Sequence, residues 1–216
     1  MRTVIGLTGV KQSGKSTTAN IIKKLYKTKE VALADKLKNV CSQAFKVPRN
    51  HFDDQDYKEQ LFIEPKILTI SVAGYILNQF NLKEPTVTDS YENTPFNTLL
   101  HSPREIAQKV GTELLRRYGG IDIHCENVKL SSGITVVSDM RFPNEYDYFA
   151  NNSDIYFIPL YIDRKVAEDK VDPVLSHSSE TSVFLFRDKC FKIDNNSTIK
   201  NLEKNLKNVL DTMLKR

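Results

Sequence analysis

The chain has 216 residues, of which 40% are hydrophobic and 27% charged, and a formal net charge of +4 at pH 7. Such a chain is long enough for one α/β domain with a small insertion, its composition is ordinary for a soluble globular protein, and no apolar run approaches the length of a transmembrane helix. The mild positive balance suits phosphorylated small molecules, while the lack of a dense basic run argues against direct nucleic-acid binding.

Val4 to Thr8 is a short apolar run that reads as a buried strand. It leads into Gly9-Val10-Lys11-Gln12-Ser13-Gly14-Lys15-Ser16. That segment fits the phosphate-loop pattern G-x-x-x-x-G-K-[ST] at every fixed position. Thr17 to Leu25 reads as the helix that must follow. Gly9 and Gly14 let backbone N–H groups converge on a phosphate chain, and the helix start adds the positive end of its dipole. Lys15 is expected to reach the β- and γ-phosphates and the Ser16 hydroxyl to ligate Mg²⁺. Residues 9–17 are therefore the candidate site for a nucleoside triphosphate.

Val31 to Ala34 reads as a second strand, followed by a helix from Lys36 to Phe45. Two roles suit Asp35: a helix cap, or a ligand contact shared with Lys36 and Lys38 at the carboxyl end of a strand. Residues 48–100 read as an insertion on the substrate side. Within it, Asp53, Asp54 and Asp56 read as a solvated helix start, Ile67 to Phe80 as a helix, and Asn81 to Leu100 as an extended excursion.

Ser102-Pro103-Arg104-Glu105 has the form of a helix start, with Ser102 as N-cap, Pro103 at N1 and Glu105 at N3. The helix is predicted to run to Arg117, with Arg104, Gln108 and Thr112 along one polar face and Gly111 inside it. That face is compatible with solvent or with a ligand. Gly119-Gly120 closes the helix, and a further helix is predicted over 121–130.

Ile134 to Ser138 is a clear interior strand ending in Asp139-Met140-Arg141. Asp139 is placed to hold Mg²⁺ and Arg141 to neutralise phosphate charge, although a surface salt bridge would use the same residue types. Residues 154–162 form the next strand, ending at Asp163-Arg164. The polar segment 164–182 reads as a lid with Arg164 at its hinge, and His177 within it as structural. A last strand is predicted over Cys190–Ile193, a turn over 194–198 and an amphipathic helix over 199–214. Three widely spaced cysteines, Cys41, Cys125 and Cys190, read as reduced thiols. With no leader ahead of the first strand, the expected compartment is the cytoplasm.

The ordered set of these stretches resembles the deoxynucleoside monophosphate kinases of tailed bacteriophages, within the P-loop nucleoside monophosphate kinase group. The matching pieces are Gly9 to Lys15, Leu33 to Lys38, Pro103 to Glu105 with Gly111 to Glu113, and Ser138 to Glu145. His177 to Glu180 and Ile193 to Ser197 complete the set. The resemblance implies a single three-layer α/β domain over 1–216, a parallel sheet flanked by helices, with ATP as donor, Mg²⁺, and a deoxynucleoside monophosphate as acceptor. It implies an acceptor site of Asp35, Lys36, Lys38, Arg104, Gln108, Gly111, Thr112, Arg141 and Glu145. Arg164 matches the basic lid residue, and Asp194-Asn195-Asn196 the turn bordering adenine, which adds Asn195 to the ATP site. Relatives often carry Asp where this chain has Ser16, and tend to have Trp near position 124, where this chain has His124. Residues 48–100 match least.

The expected activity is transfer of the γ-phosphoryl of ATP to the acceptor's own phosphate oxygen, with Lys15, Arg141 and Arg164 as the catalytic residues. That oxygen is already anionic, so alignment and charge neutralisation suffice. Another small-molecule P-loop kinase, such as a dephospho-coenzyme A kinase, and a DNA-associated ATPase are the alternatives. A homodimer, and a host cytoplasm if the chain is phage-encoded, are compatible with the reading.

Overall fold

A computed structural model of the chain describes residues 2–85, 95–170 and 181–215. In order, β1 (Arg2–Thr8) leads through the glycine loop into α1 (Lys15–Leu25), and β2 (Thr28–Val31) into α2 (Asp35–Phe45). A 3₁₀ turn (Arg49–Phe52), α3 (Gln55–Lys58), β3 (Lys66–Leu68), α4 (Ile70–Gln79) and β4 (Thr98–Leu100) follow. Next come α5 (Pro103–Gln108), a π-helical stretch (Lys109–Leu115), α6 (Arg116–Gly119) and α7 (Ile123–Glu126). The chain then passes through β5 (Ile134–Val137), α8 (Pro143–Ala150), β6 (Ile155–Asp163) and α9 (Lys165–Glu168). It closes with β7 (Phe191–Asp194) and α10 (Ile199–Leu214).

These elements form two compact units. The first comprises Met1–Leu33 and Val128–Arg216, and the second Ala34–Asn127. The second unit is wider than the 48–100 insertion expected from sequence, because α2 and α5 join its core.

The first unit is built on a five-stranded sheet of order β2-β5-β1-β6-β7, with every neighbouring pair parallel. Its central strands are apolar on both faces, as a sheet covered on both sides requires. Ile5 and Leu7 of β1 and Ile158, Leu160 and Ile162 of β6 pack with Ala19 and Ile22 of α1 and with Leu202, Leu206 and Leu210 of α10. The three leucines recur every four residues, one stripe of a helix. Side chains alternate across a strand, so Gly6 faces the other way. A Cβ there would collide with Met140 Sδ and the Phe157 ring. Phe157 in turn meets Phe149 of α8 at 5.7 Å between ring centroids. Helices therefore cover both faces, giving the three-layer α/β architecture expected.

The second unit has its own core, with Leu37, Val40 and Cys41 from α2 and Ile76 and Leu77 from α4. Ile106, Val110 and Leu114 complete it. β3 and β4 form a separate antiparallel ribbon pairing Ile67 with Leu99.

Local chemistry explains where elements differ from expectation. β2 ends at Val31, not Ala34. Val31 O accepts from Ser138 N at 3.0 Å, and the next ladder position is lost because Leu33 N donates to the Asp139 side chain at 2.7 Å. Asp35 is not a cap: it lies in the first turn of α2, whose N-cap Ala34 has no side-chain acceptor to offer. The helix expected from Ile67 begins at Ile70, because Thr69 caps it by accepting from Val72 N at 3.2 Å. The residues before Thr69 are left extended and pair with β4. The helix expected over 121–130 is one turn long, Ile123–Glu126. Asn127 Nδ2 donates back to Ile123 O at 2.8 Å and ends it. The last strand lies one residue later than expected, at Phe191–Asp194.

The helix from Pro103 starts as predicted, with Ser102 Oγ accepting from Glu105 N at 3.2 Å. Glu105 reaches one residue further than a standard capping box, accepting from His101 N at 2.5 Å. From Lys109 to Leu115 the helix is π-helical. The wider turn moves Thr112 off the α-helical stripe shared by Arg104 and Gln108. Of the expected lid, residues 171–180 lie outside the described residues, and His177 with them.

Candidate active site

Parallel strands all end at one edge, and connections leaving that edge are where such sheets carry their chemistry. In the first unit Thr8 pairs with Tyr161 and Gly6 with Val137, so the segments leaving β1, β5 and β6 emerge side by side. The glycine loop follows β1, Asp139 and Arg141 follow β5, Arg164 follows β6 and Asn195 follows β7. The structure thus gathers the sequence-predicted residues of the donor side at one edge.

The loop takes backbone conformations that call for glycine. Gly9 has φ +145° and Gly14 φ +102°, conformations that L side chains rarely adopt. A Cβ on Gly9 would lie 2.7 Å from Ser13 Oγ and 2.9 Å from Ile162 O. Gln12, at φ +64°, takes the left-handed turn that brings the loop back towards the helix. Lys15 Nζ donates to Gly9 O at 2.7 Å and Val10 O at 2.8 Å, which holds the ammonium across the loop. Ser13 Oγ and Thr18 Oγ1 are buried hydroxyls with no hydrogen-bond partner among the described residues. Lys11 is half-buried, and Ser16 and Thr17 are exposed in the first turn of α1.

Two side chains from neighbouring strand ends hold the loop. Arg164 donates from a guanidinium nitrogen to Gln12 O at 3.1 Å. Asn195 Nδ2 donates to Ser13 O at 2.7 Å. The sequence pointed to Arg164 as a catalytic lid residue and, through the resemblance, to Asn195 as part of the ATP site, but their grip on loop carbonyls was not legible, since nothing in the spacing of residues 12, 13, 164 and 195 encodes it. Beside them, Lys192 Nζ lies 2.9 Å from the buried Asp163 carboxylate. That hydrogen bond and charge raise the Lys192 pKa above the ordinary lysine range.

On the β5 side, Asp139 accepts from Leu33 N, as described above, so one carboxylate oxygen is fixed by the main chain. Glu145 is 4% exposed. One of its oxygens accepts from Arg141 N at 2.7 Å and Phe142 N at 3.1 Å. Glu145 therefore caps α8 and sets the backbone that carries Arg141, whereas the resemblance had placed it among acceptor contacts.

The hard oxygen donors here are the Ser16 hydroxyl and the Asp139 carboxylate. Among the described residues no group of three or more His, Cys, Asp or Glu gathers to cage a metal. One hydroxyl and one carboxylate fit an ion that keeps water and phosphate ligands, as Mg²⁺ does.

The remaining predicted acceptor residues lie in the second unit. Asp35 and Lys38, one turn apart on α2, belong to a charged network. Arg49 donates to Asn39 Oδ1 at 2.7 Å and to Asp35 at 3.1 Å, and its third nitrogen pairs with Asp53. Lys38 Nζ lies 2.9 Å from Asp53. Partial burial pushes the Asp53 carboxyl up, but Lys38 and Arg49 outweigh it and hold the group below the usual range. Asp53 thus adds ion pairs to the solvated helix start expected of this acidic cluster, where Asp54 caps α3 by accepting from Asp56 N at 2.8 Å. Lys36 Nζ donates to Asn127 Oδ1 at 2.6 Å and lies 4.4 Å from the Phe80 ring centroid. Arg104 pairs with Glu59. Gln108 and Thr112 are half-buried. Gly111 sits in the π-helical stretch, and His124 Nε2 donates to its carbonyl at 3.1 Å. A Cβ on Gly111 would come within 2.7 Å of Leu37 Cδ2, so this glycine lets a side chain of α2 pack close against the helix.

Comparison with known proteins adds three findings. No curated protein matches the chain. Solved structures that match include a sugar kinase from Janibacter sp. HTCC2649, with 13% identity over 98% of this chain and 95% of that one and a TM-score of 0.36. Another is the dephospho-CoA kinase from Campylobacter jejuni, with 14% identity over 98% and 97% and a TM-score of 0.40. Residues 3–64, which hold β1, the glycine loop, α1 and α2, match a family model, and over that stretch the chain is similar to the deoxynucleotide monophosphate kinases.

Proposed function

We propose that this protein is a kinase that transfers the γ-phosphoryl of ATP to a deoxynucleoside monophosphate, giving the diphosphate and ADP. The observation that carries the reading is the glycine loop, with Lys15 held across it, inside a stretch similar to deoxynucleotide monophosphate kinases. In this reading Lys15 and the loop N–H groups hold the donor phosphates. Arg141 and Arg164, following β5 and β6 on either side of β1, neutralise charge on the transferring group. Ser16 and Asp139 would hold Mg²⁺, whose charge supplies further neutralisation of the triphosphate. Asp35, Lys36, Lys38, Arg104, Gln108, Gly111 and Thr112 are assigned to the acceptor nucleotide. Glu145 serves by fixing the backbone at Arg141.

The test is direct. The protein is incubated with ATP and Mg²⁺ and each of the four deoxynucleoside monophosphates and their ribose forms, and the diphosphate products are read by chromatography. Formation of at least one deoxynucleoside diphosphate is expected. ADP release without any diphosphate product, or ATP hydrolysis stimulated by DNA, would refute the reading.

A further inference from the structure

The turn after β7 is stiff beyond what a surface turn needs. Asn195 N donates to Asp163 O at 2.9 Å, in line with the pairing of Asp163 and Asp194 across β6 and β7. Asn196 Nδ2 donates to Asp194 Oδ1 at 2.5 Å, and Asn196 Oδ1 accepts from Lys165 N at 2.8 Å. Asn205 of α10 donates to Asp194 O at 3.1 Å. A turn tied to a strand, a helix start and α10 is a rigid mount, and it projects one side chain, Asn195, onto the glycine loop.

The contact lands on a peptide group that matters. All peptide bonds of the described chain are trans, so a carbonyl and the N–H of the next residue point in opposite directions across one rigid plane. Asn195 Nδ2 holds Ser13 O at 2.7 Å. The same bond therefore fixes the direction of Gly14 N–H, away from Asn195. Gly14 is the residue at which the loop turns into α1, at φ +102°. That φ favours glycine, and a Cβ on Gly14 would also push Asn195 Nδ2 off its place against the loop.

We propose that Asn195 is a positioning residue for the donor triphosphate: by anchoring the Ser13–Gly14 peptide it presets the loop N–H groups for phosphate. The inference rests on the triphosphate-site reading above and departs from the adenine contact that the family resemblance assigns to this turn. The two roles differ in what they recognise. A residue that borders adenine matters only for a ligand carrying a base, whereas one that presets the loop matters for a bare polyphosphate as well.

The experiment compares wild-type protein, Asn195→Asp and Asn195→Ala. Inorganic tripolyphosphate and ATP are titrated calorimetrically with Mg²⁺, and KM is measured for ATP and for the acceptor. Asn195→Asp keeps the size but places a carboxylate against the Ser13 carbonyl. Losing this hydrogen bond is expected to weaken both tripolyphosphate and ATP by about tenfold. The acceptor KM stays near wild type and the unliganded melting temperature changes little. Asn195→Ala follows the same pattern with a smaller drop, and serves if the aspartate variant does not fold. Unchanged tripolyphosphate binding alongside weakened ATP binding overturns the proposal in favour of a base contact. Equal binding of both ligands by all three proteins overturns it outright, and equal rises in both KM values with a lower melting temperature reduce Asn195 to a general stability role. A wild-type protein that binds neither ligand refutes the triphosphate-site reading itself, a result distinct from these.

Discussion

At the scale of single residues, the loop lysine and the buried glutamate make opposite demands on the protein. Lys15 is held by two carbonyl oxygens of its own loop, but these bonds are local and its removal opens no core. Lys15→Ala should therefore lower kcat by at least about 10²-fold, the usual loss for one preorganised charge-stabilising donor, while leaving the melting curve close to wild type. Full activity in that variant would exclude the proposed chemistry. Glu145 is the reverse case. It accepts from two main-chain N–H groups while almost completely buried. Glu145→Ala leaves those donors without their acceptor and should cost about 1–3 kcal/mol by urea denaturation. If stability is unchanged, the cap assigned to Glu145 is wrong and its direct ligand role returns.

At the scale of elements, α2 and the 3₁₀ turn at Arg49–Phe52 are tied by charge. Asp53 has its carboxyl held below the usual range by Lys38 and Arg49. A depressed folded value means its contribution to stability is complete above the unfolded aspartate range, near pH 4, and is lost as pH falls through the lower folded value. Both carboxylates of the network are about half exposed, so the contribution should stay below about 1 kcal/mol. Urea denaturation at neutral and at acidic pH checks this: Asp53→Asn should narrow the gap between the two, and an unchanged gap would count against the network. The start of α5 makes a separate demand. It relies on Ser102, whose hydroxyl accepts from Glu105 N. Ser102→Ala should destabilise the protein by about 1 kcal/mol.

At the scale of the whole molecule, the two units keep separate cores, and the three thiols test how well those cores exclude solvent. Cys41 is 0% exposed, and burial raises its thiol pKa far above the ordinary value. Cys125 is 2% exposed. Burial, aided by the Asp188 charge, pushes Cys190 up to about 12. The thiolate is the reactive form, so a disulfide exchange reagent should titrate the folded protein slowly and all three thiols rapidly in guanidinium. Rapid reaction of Cys41 in the folded state would show that the second core opens. No helix among the described residues is long and apolar enough to cross a membrane.

Sequence alone determined the elements whose signals are local. The glycine loop needs residues that tolerate its dihedrals, Ser102 and Pro103 mark a helix start by their own chemistry, and Leu202, Leu206 and Leu210 repeat at the helical period. The order of these motifs along the chain also carried the family resemblance, which agrees with the family match over residues 3–64. Only the tertiary structure decided what depends on distant partners. The end of β2 is set by Asp139, and the length of α7 by a side chain that bonds back to it. The same holds within the site: Asn195 meets Ser13 across an enormous sequence separation, and Arg49 reaches Asp35, Asn39 and Asp53 at once. A hydrogen bond depends on direction and distance in space, and spacing along a chain records neither once the partners lie on different elements.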